Sequence, residues 1–224
     1  MRFIQVLTIA GFIGLLSGII PIAPLQSSSA AAIQMREMDY LSQGLAKAQQ
    51  GEYQDAIAAY THALQANPNS VAAYSNRGLA QRELKNFAAA IADFDQVIRL
   101  EPKNAVAIYN RGEAYSELGN LHDALVELNQ AIQLKPRYPE AYNTRGVVYA
   151  KMGNLQRAVV DLNQAIRLKT DYAYAYFNRG QALLQTGNNQ GALSSLERAA
   201  ELFASRGDRS SYQQVVMLIQ RIRK

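Results

Sequence analysis

The side chains able to do chemistry are few, and none is placed to do it. His62 and His122 are the only histidines, each without a partner at ligand spacing, and the chain has no cysteine. Disulfides, thiolate chemistry and cysteine-based zinc sites are thereby excluded. No HExxH pair, Walker loop, nucleophile elbow or dinucleotide fingerprint occurs. The glycine-bearing stretches GNLHD (119–123) and GNNQG (187–191) read as turns between helices, not as phosphate loops. Asp93-x-Asp95 falls within a helical pattern and reads as a solvated edge rather than a metal site. The residues predict a protein with no catalytic activity, cofactor or metal.

Charge does not point to nucleic acid. The chain of 224 residues carries a net charge of +5. From Glu37 to Arg206, however, 17 Lys and Arg balance 17 Asp and Glu. The excess sits at Arg2, Arg36 and the C-terminal end, so no basic stripe runs along the body to follow a phosphate backbone.

Residues 1–32 form a separate segment. Arg2 precedes an apolar run from Phe3 to Leu25, followed by small residues including Ala30-Ala31-Ala32. This order matches a secretory signal, with cleavage after Ala32. The same run approaches the length of a bilayer span, so the competing reading of residues 3–25 is a retained membrane anchor. Under either reading the basic end stays in the cytoplasm and the body is exported.

What positions side chains in the body is a period of 34. Gly44, Gly78, Gly112, Gly146 and Gly180 keep it, as do Ala56, Ala90, Ala124, Ala158 and Ala192. Gly51, Gly119, Gly153 and Gly187 form a third series, with Lys85 in place of glycine in the second unit. Pro68, Pro102 and Pro136 form a fourth. Five units follow, at 37–70, 71–104, 105–138, 139–172 and 173–206, within a body of 33–206. In the third unit, Ile108, Gly112 and Tyr115 share one helical face, and Leu121, Ala124, Leu125, Leu128, Ala131 and Ile132 share another. Gly119-Asn120 breaks the chain between them, both residues tolerating left-handed backbone. Each unit is thus a helical hairpin, with Gly112 and Ala124 at the closest approach of its helices. A lone hairpin cannot bury both apolar faces, so the units must stack.

These series resemble the tetratricopeptide repeat (TPR) family. Tyr40, Tyr74, Tyr142 and Tyr176 match its first aromatic, with Ile108 in the third unit; Tyr115 and Tyr149 match its tyrosine, and Tyr60 and Phe94 its later aromatic. The family's leucine before glycine is replaced by Gln43 and by Arg77, Arg111, Arg145 and Arg179. The resemblance implies an all-α, right-handed superhelical solenoid of five 34-residue helical hairpins. Residues 207–224 add a capping helix, with Asp208 or Ser210 at its start and Tyr212, Val215, Val216, Ile219 and Ile222 on its apolar stripe.

The recurring Asn-Arg-Gly triplet divides into structural and functional letters. An acid stands 16 residues after Arg77, Arg111 and Arg145, namely Asp93, Glu127 and Asp161, and the expectation is that each pair is joined. The family's concave groove implies a protein partner held there as a peptide or helix. The groove residues are Asn76, Leu79, Tyr109, Asn110, Glu113, Asn143, Thr144, Tyr174, Phe177 and Asn178. The amides either grip a partner's backbone or bond neighbouring helices of the chain itself. The family's carboxylate clamp is not matched, because its positions hold Leu41, Leu45, Asn76, Val106 and Asn110 rather than cations. The resemblance implies a non-catalytic scaffold for assembling or maturing membrane and envelope complexes. The alternative is a self-associating structural protein, so a homo-oligomer stays open.

Overall fold

The computed structural model describes residues 26–223. They form α1 (Gln26–Gln49), α2 (Tyr53–Ala66), α3 (Val71–Glu83), α4 (Phe87–Leu100), α5 (Ala105–Glu117) and α6 (Leu121–Leu134). These are followed by α7 (Pro139–Lys151), α8 (Leu155–Leu168), α9 (Ala173–Gln185), α10 (Asn189–Ser205) and α11 (Arg209–Arg223). The described residues are therefore all helical, ten helices in five hairpins and an eleventh at the end, as the period requires. The apolar run at 3–25 lies outside the described residues. Position 32 falls inside α1, which runs unbroken through Ala31 and Ala32.

Local sequence explains where each helix starts and stops. The Asn104 side-chain oxygen accepts from the backbone N–H of Val106 and Ala107, at 3.1 and 3.0 Å, and so caps α5. At the other end Gly119 turns left-handed with φ 85°. The Gly119 and Asn120 N–H groups then reach back to the carbonyls of Ser116 and Tyr115, a Schellman closure. Asn120 does not share the left-handed conformation expected of it; at φ −78° it is already the residue that opens α6. The same closure recurs in the second unit, where Lys85 stands at φ 61° and is the only positive-φ residue other than glycine among those described. A side chain there costs roughly 1–2 kcal/mol of local strain. Lys85→Gly is expected to stabilise the protein by about 1 kcal/mol, read as a higher urea midpoint with an unchanged slope.

Stacking follows from the small residues. A Cβ built on Gly112 stands 2.9 Å from Glu127 Cβ and 3.4 Å from the Ala124 carbonyl oxygen, and one on Gly180 stands 2.7 Å from Leu196 Cγ. The helices of each hairpin are thus as close as a bare Cα allows. Ala124 and Leu128 of one unit then bury against Val148 of the next. The contact repeats with Ala56, Tyr60 and Ala80, and with Ala158, Leu162 and Ala182.

The last hairpin is modified. α10 has 17 residues, three more than α8, and α11 folds back onto it. Val215 and Ile219 are buried there with Leu202 and Phe203, and Leu218 and Ile222 pack beside them. Leu218 joins this face although it was not in the expected stripe, while Tyr212 is exposed. Of the two capping candidates it is Asp208 that accepts from the Ser211 N–H, at 3.1 Å. That hydrogen bond holds the Asp208 carboxyl below the ordinary aspartate range.

Candidate partner-binding groove

The first helices of successive units touch one another, α1 with α3, α3 with α5, α5 with α7 and α7 with α9, whereas the second helices do not to a comparable extent. The first helices therefore form the short-radius inner wall of the superhelix, and their shared face is the groove.

The arginines before glycine lie off this face and behave as expected. Arg77 holds both carboxylate oxygens of Asp93 at 2.6 and 2.9 Å, and Arg145 those of Asp161 at 2.7 and 2.8 Å. The Arg111 Nη2 group donates to both oxygens of Glu127 at 2.7 Å. The acids are 4%, 8% and 5% exposed for Asp93, Glu127 and Asp161. Each arginine also donates to the residue 16 positions earlier, in the preceding unit: Thr61, Asp95, Asn129 or Asn163. The row thus stitches unit to unit. In the fifth unit Ser195 replaces the acid and accepts from Arg179 at 3.1 Å. Donating to the Asp93 carboxylate raises the Arg77 pKa, whereas burial without a carboxylate lowers that of Arg179.

The groove residues are more engaged than their spacing indicates. Asn110 is 8% exposed and its oxygen accepts from Arg82 at 3.4 Å; Arg82 also donates to Glu113. The Asn178 Nδ2 group donates to the Asn143 oxygen at 2.9 Å. Tyr109 Oη lies 3.3 Å from Thr144 Oγ1, and Thr144 is buried. Of the two readings of the amides, bonding between neighbouring helices is therefore observed, and it uses one end of each. Among the described residues, none is hydrogen-bonded to Nδ2 of Asn110, Nδ2 of Asn143, Oδ1 of Asn178 or the amide of Asn76. Leu79 is half-buried beside Asn76 on α3.

Two of the aromatic residues expected to grip a partner, both partly buried on α9, also pack within the chain. The Tyr174 ring meets Phe203 edge-on with centroids 5.0 Å apart, and both Tyr174 and Phe177 pack on the cluster that α11 closes. The lengthened α10 brings Phe203 into reach.

Spacing alone also missed participants. Tyr138, in the turn before α7, packs against Tyr109 with ring centroids 5.0 Å apart and planes tilted by 51°. Lys135 Nζ lies 4.2 Å from the Tyr138 ring centre, and Lys169 lies 5.0 Å from that of Tyr172. This pair of Lys-x-x-Tyr motifs, 34 residues apart, was a readable signal. Lys151 donates to the Ser116 carbonyl at 3.2 Å, tying α7 to α5. Burial first, and then the nearby Glu113 carboxylate, push the Tyr109 hydroxyl well above its ordinary pKa. Among the described residues no three His, Asp or Glu side chains gather where they could hold a metal ion. The inner face offers hydrogen bonds, aromatic surface and carboxylates, a surface for recognition.

Comparison with known proteins agrees with this architecture. Models described as tetratricopeptide repeat match residues 41–105, 94–126 and 173–205, and one described as TPR repeat matches 112–153 and 151–187. The comparison with curated proteins finds no match. Among solved structures, MamA is 27% identical at a TM-score of 0.63, covering 74% of this chain and 96% of its own. A thermophilic TPR protein of Thermus thermophilus is 25% identical at a TM-score of 0.69, covering 81% and 99%. The first TPR domain of Spaghetti (RPAP3), solved with the HSP90 peptide SRMEEVD, is 27% identical at a TM-score of 0.52, covering 53% and 94%. The five register-locked hairpins, their glycine–alanine contacts and these matches place the chain in the tetratricopeptide repeat family.

Proposed function

We propose that this protein is a non-catalytic scaffold that holds a peptide or helix of a partner protein along the inner face of α1, α3, α5, α7 and α9. The observation that carries this reading is the set of groove amides with one end bonded to the chain and the other end available. Such amides are held in place by the first bond and meet a partner's backbone through the second, whatever its sequence. The related RPAP3 domain, which holds a peptide, supports use of the fold for this purpose. The basic start and apolar run of residues 1–32 support export, with the scaffold released or tethered on the far side of the cytoplasmic membrane. A scaffold in that place serves the assembly or maturation of membrane and envelope complexes.

The test is a crosslinking pull-down from native cells with a C-terminal affinity tag, comparing the parent with an Asn76→Ala/Leu79→Ser double variant. Both positions are half-buried groove residues outside the hairpin contacts, so the variant is expected to keep its thermal midpoint. Tyr109→Ala is unsuitable, because it also removes the ring contact with Tyr138. The expected result is one dominant protein captured by the parent and reduced about tenfold or more in the variant, a change of roughly 1.4 kcal/mol. Equal capture by the two would move the site off the inner face. Recovery of the bait alone would favour self-association.

A further inference from the structure

The arginine row changes at its last member. Arg145 and Arg179 are placed alike, for Nη1 of each donates to an asparagine of the preceding unit, Asn129 at 2.7 Å and Asn163 at 2.8 Å. Nε and Nη2 of Arg145 then share the two oxygens of Asp161, at 2.7 and 2.8 Å. In unit five the acid is replaced by Ser195. Its hydroxyl accepts from Nε of Arg179 at 3.1 Å and donates to the Gly191 carbonyl at 2.8 Å. Among the described residues, none is hydrogen-bonded to Nη2 of Arg179. The guanidinium edge that matches a carboxylate through two parallel N–H groups is thus used by the protein on one side only.

No acid nearby is left to complete it. The helices α8, α9 and α10 carry Asp161, Glu197 and Glu201. Asp161 is held by Arg145, Glu197 by Arg223 at 2.6 Å and Glu201 by Arg198 at 2.7 Å. Asp171, ahead of α9, is held by Arg206 at 2.8 Å, and Glu140 on the adjacent α7 faces Lys169 at 3.5 Å. The other charges on these three helices, Arg157 and Arg167, are positive. The site is also open. Arg111 Nε is the only buried side-chain nitrogen or oxygen without a hydrogen-bond partner among the described residues, so solvent reaches Nη2 of Arg179. The guanidinium lies between Asn163 of α8 and Ser195 of α10, in the outer layer of the solenoid. Ser195, 1% exposed, forms its floor, and α11 packs on α10 without covering α8 to a comparable extent.

We infer that Arg179 receives a carboxylate from outside the repeat array, carried by an acidic side chain of a partner protein docked on the outer side of unit five. The row itself names the group, since Asp93, Glu127 and Asp161 stand at this place in units two to four. The site lies away from the groove and does not depend on it.

NMR of the arginine Nε–Hε groups in the full chain tests the chemistry, with sodium acetate as the probe at constant ionic strength. The Arg179 signal, identified by its loss in Arg179→Gln, is expected to shift saturably with acetate while those of Arg77 and Arg145 stay in place. Ser195→Asp supplies the carboxylate from within and should abolish the shift. Asp161→Ser should create one at Arg145. A crosslinking pull-down from native cells tests the source. One protein is expected whose capture falls about fivefold or more in both Ser195→Asp and Arg179→Gln.

An Arg179 signal that acetate does not move would overturn the site, leaving a solvated arginine. A shift of equal size in Ser195→Asp would place the ion elsewhere and also overturn it. Acetate binding at Arg179, with no captured protein sensitive to position 195, would overturn the protein source and leave a small free carboxylate as the occupant.

Discussion

Gly112→Leu is expected to destabilise the protein by about 3 kcal/mol, the upper part of the usual range for overpacking. The reason is steric and local. The first added carbon already stands 2.9 Å from Glu127 Cβ and 3.3 Å from Leu128 Cγ, with the Ala124 carbonyl behind them. Two of these neighbours are backbone or backbone-proximal, so they yield only if α5 and α6 separate. The gain in helix propensity on replacing glycine, about 0.8 kcal/mol, offsets a fraction of this. Units couple mainly to their neighbours, so protection from hydrogen exchange should fall first in units two to four. Gly119 provides the contrast. It has open space around its Cα but a φ of 85°, so Gly119→Ala carries only the conformational cost of about 1–2 kcal/mol. Equal stability of Gly112→Leu and the parent in urea titration would show that the hairpin contact does not limit helix approach.

Arg111→Met is expected to cost about 2 kcal/mol. The side chain joins three carboxylate oxygens: both of Glu127 and one of Asp95, at 2.7, 2.7 and 2.6 Å. Methionine replaces the apolar stem but leaves Glu127, 8% exposed, without its cation. Breaking one side of a buried pair typically costs roughly 3–5 kcal/mol, and the figure here is set lower because Arg111 is half-buried rather than enclosed. The double change Arg111→Met/Glu127→Met should recover most of the loss, since the pair as a whole contributes little over apolar packing. Arg179→Met should cost less than Arg111→Met, because Ser195 leaves no buried carboxylate behind. Chemical unfolding of the four proteins decides the matter. If Arg111→Met matches the parent within about 0.5 kcal/mol, the row is a solvated surface feature rather than a stitch between units.

Much of the fold was legible because a repeat copies each local relation every 34 residues. Gly112 against Ala124, Arg111 against Glu127 and the turn at Gly119 each recur at the same offset, so chance is excluded by register alone. These relations lie within one hairpin or between adjacent hairpins, where helix geometry sets the distances. That the first helices share one face was legible, but which side chains of that face bond one another was not. Tyr109 with Thr144, Asn143 with Asn178 and Ser116 with Lys151 are each joined across 35 residues, and Arg82 reaches 28 and 31 residues ahead to Asn110 and Glu113. Those offsets depend on how far one inner helix is shifted and rotated against the next, which is set by the curvature of the whole stack. The end of the array was likewise a tertiary decision. Either Asp208 or Ser210 can cap a helix by sequence, and the packing of Val215 and Ile219 on Phe203 selects the register in which Asp208 does so. Tyr174 and Phe177 turn toward that cluster because the lengthened α10 supplies an apolar surface beside them. The sequence by itself therefore determined the repeat, the hairpin and the arginine row, each a short-range relation copied along one dimension. Tertiary structure decided which groups of the inner face are bonded between helices and which are not, because that division is set by the distance between helices of different units.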